Sequence, residues 1–326
     1  MTQRTVETRS AGGFEPGEEP RHGNGEAQGV YVAVADGASE QASPNAAVGS
    51  TVGAPLRESG AAAGATAAEA LRDGRLRSEL ASIVVVGATS SIGRAIADRF
   101  AELEPRARFV LAARRGEELE RIAADLRVRR GVDAVAAALD VTDGEQVDAL
   151  AEALASSPGR LRGLVLAQGF MTEQAEAERD ADAAVRMIEV NYTGAVRLMT
   201  KLLPTIKDGG FVAGVSSVAG DRGRGSNFAY GSTKAALTTY LHGLRGKLTS
   251  EKRDVSVTIV KPGFTDTAMT YGGEGMFLVA PPEAVAGDAV RAIRKKRAVA
   301  YTPWFWRWIM AAICAIPRAV FDRLGL

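Results

Sequence analysis

The chain reads SIVVVGATSSIG over residues 82–93, and this stretch decides the fold. A run of β-branched residues, Ile83–Val86, ends at Gly87, and a helical pattern follows from about Ile92 to Leu103. An apolar run that ends in glycine and leads directly into a helix is typical of a buried parallel strand and its crossover helix. The stretch therefore predicts the first strand–helix unit of an α/β sheet.

The same alternation continues along the chain. Strands that alternate with helices form a parallel sheet covered on both faces. We therefore predict α/β class: a single Rossmann-type doubly wound parallel sheet in a three-layer α/β/α domain over residues 81–302. The further predicted strands are Phe109–Ala112, Val135–Leu139, Leu161–Ala167, Gly210–Val215, Val255–Val260 and Val299–Tyr301, and the further helices lie at about 117–129, 143–156, 181–206, 228–248 and 282–295.

Composition excludes several classes of function. The 40 Lys and Arg residues balance 39 Asp and Glu residues, so no global basic field favours a nucleic-acid partner. One cysteine cannot form an intramolecular disulfide, and two histidines far apart in sequence give no metal-ligand cluster. No apolar stretch of signal-peptide length follows Met1, so we expect a cytoplasmic protein without a metal site.

Two flanking segments differ from the domain. Residues 1–80 are rich in Gly, Ala, Glu and Ser without a sustained period, which predicts a disordered extension, with helix propensity only over about 66–80. Residues 303–326 are predicted to form an aromatic and apolar C-terminal helix that contains all three tryptophans. Its uncharged run, Trp308–Pro317, is too short to span a bilayer. Two uses remain open: contact with a membrane surface, or packing against the body or a second copy of the chain.

The turn after the first strand suits a pyrophosphate. Small residues from Gly87 to Gly93 let the backbone approach such a group, and the helix N-terminus faces its charge. The alternative is a turn that only ends a strand. Arg114 follows the second strand, where an NAD-specific fold usually carries an acid, and Arg94 is a second cation. These arginines favour NADP(H) over NAD(H), unless Arg114 is only a solvated surface charge.

The third strand leads into two carboxylates, Asp140 and Asp143. Asp140 is a candidate to accept a hydrogen bond from an adenine amino group. Asp143 has the position of an N-cap for the following helix, and either carboxylate has only a capping role in the alternative interpretation.

A candidate catalytic group lies further along the chain. Tyr230 and Lys234 are four residues apart and share one face of a predicted helix. An ammonium beside a phenol favours the phenolate, so the tyrosine can exchange a proton with a carbonyl or alcohol oxygen. A serine at the end of the preceding strand, Ser216 or Ser217, can orient that oxygen. Taken alone, the Tyr–Lys spacing is also that of an ordinary amphipathic helix.

Taken in order, these motifs resemble the short-chain dehydrogenase/reductase family over about residues 83–301. The resemblance implies that Ser217, thirteen residues before Tyr230, is the catalytic serine, and that Tyr230 is the acid/base. It further implies that Lys234 lowers the pKa of Tyr230 and binds the nicotinamide ribose, and that Asn191 holds a water linking Lys234 to solvent. The motifs are the glycine turn, Asp140-Val141, Ala167-Gln168-Gly169, Asn191–Gly194, Ser216-Ser217, Tyr230–Lys234 and Pro262–Thr267.

The resemblance also implies a cofactor site. Its residues are Gly87, Thr89, Ser90, Ser91, Ile92, Gly93, Arg114, Asp140, Val141, Ala167, Gly169, Tyr230, Lys234, Pro262, Gly263, Thr265 and Thr267, with Thr267 at the nicotinamide carboxamide. Two departures from the family stand out: Ser91 replaces the middle glycine of the turn, and Ala167-Gln168-Gly169 replaces Asn-Asn-Ala-Gly.

The activity implied is that of an NAD(P)H-dependent carbonyl reductase or alcohol dehydrogenase, which we expect to be a homo-oligomer. The segment 219–228 and the tail 301–318 are similar to actinobacterial reductases of a keto sugar on a polyprenyl phosphate, so the expected substrate is a small-molecule or lipid-linked carbonyl compound. Arg222 and Arg318 are candidates for a substrate phosphate, and residues 270–277 for a mobile lid. The alternatives are a non-catalytic cofactor-binding module and a membrane-attached interaction protein.

Overall fold

The computed structural model describes residues 80–324 except 158, 268 and 270–276. Within them, seven parallel strands form one sheet in the order β3-β2-β1-β4-β5-β6-β7. The predicted doubly wound parallel sheet is thereby confirmed. The strands are β1 (Ser82–Val86), β2 (Arg108–Ala113), β3 (Asp133–Ala138), β4 (Leu161–Leu166), β5 (Ile206–Val215), β6 (Val255–Pro262) and β7 (Val299–Thr302).

Helices cover both faces of the sheet. One apolar core lies between the sheet and α3, α6 and α7, and the other between the sheet and α1, α2 and α8. The helices are α1 (Ser91–Leu103), α2 (Gly116–Arg130), α3 (Gly144–Ser156), α4 (Gln174–Ala177), α5 (Ala181–Ile188), α6 (Gly194–Leu202), α7 (Phe228–Ser250), α8 (Pro282–Arg294), α9 (Trp306–Ala315) and α10 (Arg318–Phe321). The strand order grows in opposite directions from β1 and β4, so a ligand crevice is expected at the carboxyl ends of these two strands.

The segment predicted as one helix over 181–206 is not continuous. Helices α5 and α6 are joined by a π-helical turn, Glu189–Thr193, and a short 3₁₀ turn, Leu203–Thr205, precedes β5. A π turn widens the helix locally and is frequent at functional sites. This turn carries Asn191, one of the predicted site residues.

The predicted tail helix is also interrupted. Helix α9 ends at Ala315 and α10 begins at Arg318, because Pro317 lacks an N–H and holds Ile316 in an extended conformation, with φ −63° and ψ 127°. The inner face of α9 packs on the body through Trp306 and Met310. The tail is therefore partly a structural element of the domain.

Several predictions concern residues that the structure does not describe: the disordered extension with its helix over about 66–80, and nearly all of the lid over 270–277. Among the described helices, none combines the length and apolar character needed to cross a membrane. Nor do the described residues contain a group of three or more His, Cys, Asp or Glu side chains placed to hold a metal ion.

Candidate active site

The turn that follows β1 requires glycine at its first position. Gly87 has φ +79°, and a Cβ there would lie 2.6 Å from the carbonyl carbon of Ala167 at the end of β4. The turn therefore packs directly on the neighbouring strand, and a larger residue would push the two apart.

Ser90 fixes the same turn through its hydroxyl group. Ser90 Oγ accepts from the N–H of Gly93 at 3.0 Å and donates to the carbonyl of Gly87 at 2.7 Å. It thereby caps α1, whose first turn contains no acidic residue. Thr89, Ser91 and Ile92 lie beside it and remain partly exposed. The result is an open helix N-terminus at the crevice, which suits an anion.

The far end of the crevice is basic. Arg94, Arg115 and Arg121 line one surface cavity between α1 and α2, together with Glu118 and Ile122. Arg115 pairs with Glu118 at 2.9 Å. Arg114 is exposed after β2, and its charge acts on Asp140. The structure therefore adds Arg115 and Arg121 to the two arginines, Arg94 and Arg114, that the sequence nominated.

Asp140 closes a local turn. Its Oδ1 accepts from the N–H and the hydroxyl of Thr142 at 2.9 and 2.7 Å, and Arg186 lies 3.4 Å from Oδ2. Burial raises the pKa of Asp140, but Thr142, Arg186 and Arg114 outweigh it, so the net pKa is lowered. The adenine contact of this ionised carboxylate stays a prediction. The N-cap role of Asp143 is confirmed, because its Oδ1 accepts from the N–H groups of Glu145 and Gln146 at 2.9 and 3.1 Å.

The two candidate serines have different surroundings. Ser216 is buried and binds α7: its hydroxyl donates to the carbonyl of Lys234 at 2.9 Å and lies 2.7 Å from Thr238 Oγ1. Ser217 accepts from the N–H of Ala219 at 3.1 Å, and its hydroxyl lowers the pKa of Tyr230. Of the two, Ser217 is therefore the serine placed beside the tyrosine.

Tyr230 and Lys234 lie together on the first turns of α7. The Lys234 ammonium is 5.5 Å from the centre of the Tyr230 ring and donates to the carbonyl of Val215 at 3.0 Å. Burial raises the pKa of Tyr230 to about 12, against a smaller lowering by Ser217. Burial also lowers the pKa of Lys234 to about 8. The implied lowering of the Tyr230 pKa by Lys234 stays a prediction, because burial sets the direction of this pKa in the protein alone.

Asn191 joins the loop after β4 to α7. Its Nδ2 donates to the carbonyl of Phe170 at 2.8 Å and to Thr233 Oγ1 at 3.0 Å, and its Oδ1 accepts from the N–H of Phe170 at 2.7 Å. The side chain is buried. Asn191 thus braces the loop of Gly169 against the turn that carries Tyr230. Its role in holding a water molecule stays a prediction.

The loop after β6 is packed against the C-terminal tail, which agrees with one of the two uses left open for the tail, packing against the body. Pro262 ends β6, and a Cβ on the next residue, Gly263, would lie 2.5 Å from Cδ1 of the Trp306 indole. Phe264 meets the same indole edge to face, with the ring centres 5.7 Å apart. Thr265 is buried, with its hydroxyl 3.2 Å from the Gly263 carbonyl. The tail therefore supports the loop predicted to meet the nicotinamide.

A buried polar network ties the tail to the loop after Ser217. Asp221 pairs with Lys261 and accepts a hydrogen bond from the Tyr301 hydroxyl at 2.9 Å. Arg222 donates to the tail carbonyls of Ile313 and Ile316 at 2.6 and 2.8 Å. Arg222 therefore binds the C-terminal end of α9 through one of its nitrogens, and its suggested role at a substrate phosphate stays a prediction. Arg318 instead lies in the open, 3.6 Å from Asp322.

Comparison with known proteins decides the family. Residues 81–273 match the family model described as short chain dehydrogenase. The chain belongs to the short-chain dehydrogenase family.

Relatives of this short-chain dehydrogenase include uncharacterized oxidoreductases. One from Mycobacterium tuberculosis is 35% identical over 246 residues, which cover 75% of this chain and 97% of the relative. Another, from Streptomyces coelicolor, is 32% identical over 246 residues, 74% of this chain and 95% of the relative. Both relatives are matched over nearly their whole length.

Solved structures share the fold of the dehydrogenase. A short-chain dehydrogenase from Burkholderia phymatum in complex with NAD has a TM-score of 0.61 at 22% identity, and covers 72% of this chain and 93% of that one. An alcohol dehydrogenase from Thermococcus sibiricus complexed with 5-hydroxy-NADP has a TM-score of 0.59 at 26% identity. The match covers 68% of this chain and 96% of that one.

The crevice of the dehydrogenase has the features that a dinucleotide needs. The turn at Gly87 and the helix N-terminus suit a pyrophosphate, and the arginines lie at one end. Gln168 contributes a buried side-chain oxygen without a hydrogen-bond partner among the described residues. The backbone nitrogen of Gln168 lies beside the turn at Gly87. A ribose or amide donor of a bound cofactor would satisfy the side-chain oxygen.

Proposed function

We propose that this short-chain dehydrogenase is an NAD(P)-dependent oxidoreductase that interconverts a carbonyl group and an alcohol. The observation that carries the proposal is that the Ser217 hydroxyl acts on Tyr230 while the Lys234 ammonium lies 5.5 Å from the centre of the Tyr230 ring, at the carboxyl ends of the central strands. A cofactor-binding module without catalysis would not need this arrangement.

The residues divide the proton chemistry among them. A bound nicotinamide supplies a hydride to the substrate carbon or removes one from it. Ser217 orients the substrate oxygen, and Tyr230 donates its proton to that oxygen in the reductive direction. With a pKa of about 12, Tyr230 is a phenol at neutral pH and is ready to donate. The Lys234 ammonium then stabilises the phenolate until solvent returns the proton. Asn191 holds the loop of Gly169 against the helix turn that carries Tyr230.

A screen for cofactor oxidation tests this function. NADPH and NADH are offered with a panel of ketones that includes a lipid-linked keto sugar, the substrate suggested by the segment 219–228 and the tail. We expect ketone-dependent oxidation of NADPH. If none of the ketones were reduced, and none of the matching alcohols oxidised, the proposal would fail.

The pH profile of ketone reduction should fall on the alkaline side of about pH 8. The active form needs Tyr230 as phenol and Lys234 as ammonium; Lys234 deprotonates above its pKa of about 8, long before Tyr230 does. The value of kcat/KM should be level below pH 8 and fall about tenfold per pH unit above it. The kcat/KM of the Lys234→Met variant, measured from pH 6 to pH 10, should show no break near pH 8. A wild-type profile that is flat or rising to pH 10 would refute this assignment.

We propose that NADP(H) is preferred over NAD(H). Arg114 and Arg115 follow β2 without an acid to bind the ribose hydroxyls. The double variant Arg114→Ala/Arg115→Ala should raise the KM for NADPH roughly tenfold or more, because a charge-assisted contact is worth about 1.5–3 kcal/mol. The KM for NADH should change little. Arg106→Ala, an exposed arginine before β2, is the control. An equal loss with both cofactors would contradict the preference.

We also propose that the outer face of the tail contacts an anionic membrane surface. Trp304 and Trp308 are 71% and 63% exposed, and Arg307 lies 5.5 Å from the Trp308 ring. Exposed indoles next to arginines suit the headgroup boundary. Trp304→Ser/Trp308→Ser should reduce co-sedimentation with phosphatidylglycerol vesicles, whereas neutral phosphatidylcholine vesicles should bind neither protein. Unchanged pelleting would remove the membrane contact; a variant that changed oligomeric state instead would assign the face to a second copy.

A further inference from the structure

One arginine between Ser217 and Tyr230 in the sequence has a buried donor without a hydrogen-bond partner among the described residues. Arg224 lies in the segment that joins Ser217 to Tyr230, and its Nε is buried without a hydrogen bond to any described residue. No ion pair to this guanidinium is formed within the described part of the chain either. Leaving a buried N–H donor without an acceptor is costly, so such donors are normally hydrogen-bonded.

Two cations close to Arg224 in the fold, Arg222 and Lys261, both have protein partners. Arg222 donates to carbonyls of the tail and stacks on the Phe321 ring, with 3.9 Å between guanidinium and ring centre. Lys261 pairs with Asp221. Arg224 alone of these three lacks a protein acceptor among the described residues, although it lies in the same wall of the fold.

Asp221 is the acid whose charge acts on Arg224, but it has other partners. Asp221 is already bound by Lys261 and by the Tyr301 hydroxyl. Burial lowers the pKa of Arg224, and the charges of Asp221 and Cys314 offset this only in part. A guanidinium stays protonated in proteins, so Arg224 carries a positive charge that is not paired with a carboxylate of any described residue.

A second polar group in the same segment also lacks a partner. Asn227 Oδ1 is buried without a hydrogen bond to a described residue, and the side chain does not cap α7. A half-turn of this amide would present N–H groups in place of the oxygen. Arg224 and Asn227, three residues apart, would then each offer an N–H donor to an anionic oxygen group, and neither side chain is hydrogen-bonded to a described residue.

We propose that Arg224 binds an anionic group, a phosphate ester or a carboxylate, on the carbonyl substrate. The inference rests on the proposed function, because Arg224 lies between Ser217 and Tyr230 in the sequence and its role requires that these two residues act on the substrate carbonyl. It narrows the substrate class to carbonyl compounds that carry a negative charge. A guanidinium pairs with two oxygens of such a group at once, so it both binds the group and fixes the position of the carbonyl relative to Tyr230.

The test measures binding without turnover. Phenyl phosphate, benzoate and the neutral benzyl alcohol are titrated by calorimetry into full-length protein saturated with NADP⁺, which keeps the probes out of the cofactor's phosphate sites. We expect one or both anions, and not the alcohol, to bind. Arg224→Gln should weaken anion binding about tenfold or more, and Arg224→Lys, which keeps the charge, should weaken it less. Arg245→Gln, an exposed arginine of α7, is the matched control and should bind as wild type.

The outcomes separate this proposal from the others. Equal anion affinity in wild type and Arg224→Gln, an equal loss in Arg245→Gln, or no anion binding by wild type would each overturn it. Thermal unfolding with and without NADP⁺ checks the fold, and Arg224→Lys carries the comparison if Arg224→Gln does not fold. If Arg224→Gln lost binding to phosphatidylglycerol vesicles but kept phenyl phosphate affinity, the arginine would serve a lipid headgroup, and the substrate assignment would be wrong. Calorimetry reads the site whether or not the protein reduces any ketone tested.

Discussion

Tyr230→Phe should lower kcat for ketone reduction by about 10²–10⁴-fold, the usual contribution of a positioned proton donor. The variant removes one hydroxyl and keeps the ring, so the packing beside Lys234 should persist. Cofactor affinity, measured by fluorescence titration with NADPH, should stay within about twofold, because a neutral hydroxyl makes at most a modest net contribution to binding.

A tyrosine on the same helix provides the control. Tyr240 packs against Tyr192, with ring centres 6.3 Å apart, and lies away from Ser217. Tyr240→Phe should keep kcat near the wild-type value. If Tyr230→Phe and Tyr240→Phe lowered kcat to the same small extent, Tyr230 would not be the proton donor.

Gly263→Ala should be strongly destabilising, by about 1–3 kcal/mol in the free energy of unfolding. The new methyl group would overlap the indole of Trp306, which is 2% exposed and is surrounded by Phe264, Phe277 and Phe305. Because the indole has little room to move, the β6 loop or α9 must shift. The KM for the nicotinamide cofactor should rise as well, since Gly263 belongs to its predicted site.

Urea unfolding of Gly263→Ala is compared with that of Gly243→Ala. A Cβ at Gly243, on the exposed side of α7, would meet nothing within 4 Å, and alanine favours a helix over glycine by about 1 kcal/mol. Gly243→Ala should therefore be neutral or stabilising. The double variant Gly263→Ala/Trp306→Leu should recover part of the loss, because a smaller side chain makes room. Equal stability of the two glycine variants would show that the tail does not press on the β6 loop.

The order of strands and helices was predictable because the pattern is local. Each central strand is buried on both faces and therefore reads as an uninterrupted apolar run, such as Ile83–Val86. The π turn at Glu189–Thr193 was not predictable. It exists where Asn191 reaches Phe170 and Thr233, and such tertiary contacts leave no mark on a helical period. The break in the tail had a visible cause in Pro317, but the apolar run across it favoured one helix.

The proposed site likewise has features that the sequence predicted and features that it did not. The thirteen-residue separation from Tyr230 that the family resemblance implies selects Ser217. Ser216 instead turns toward Lys234 and Thr238, because successive side chains of an extended segment point to opposite sides. The contacts that hold the site together join distant parts of the chain. Lys261 meets Asp221 and Arg222 meets Ile313, and no period or motif relates such residues. The direction of the Tyr230 pKa in the protein alone was not predictable for a related reason, because burial is set by the whole fold.

The central claim is that the chain moves a hydride between a nicotinamide and a carbonyl carbon while Tyr230 supplies the proton. It is tested most directly with NADPH deuterated at its transferable hydrogen and a ketone from the screen, with the alcohol product analysed by mass spectrometry. We predict deuterium on the carbinol carbon with the wild-type protein, and labelled product formed about a hundredfold or more slowly with Tyr230→Phe. Product without deuterium at that carbon, or labelled product formed equally fast by both proteins, would contradict the account.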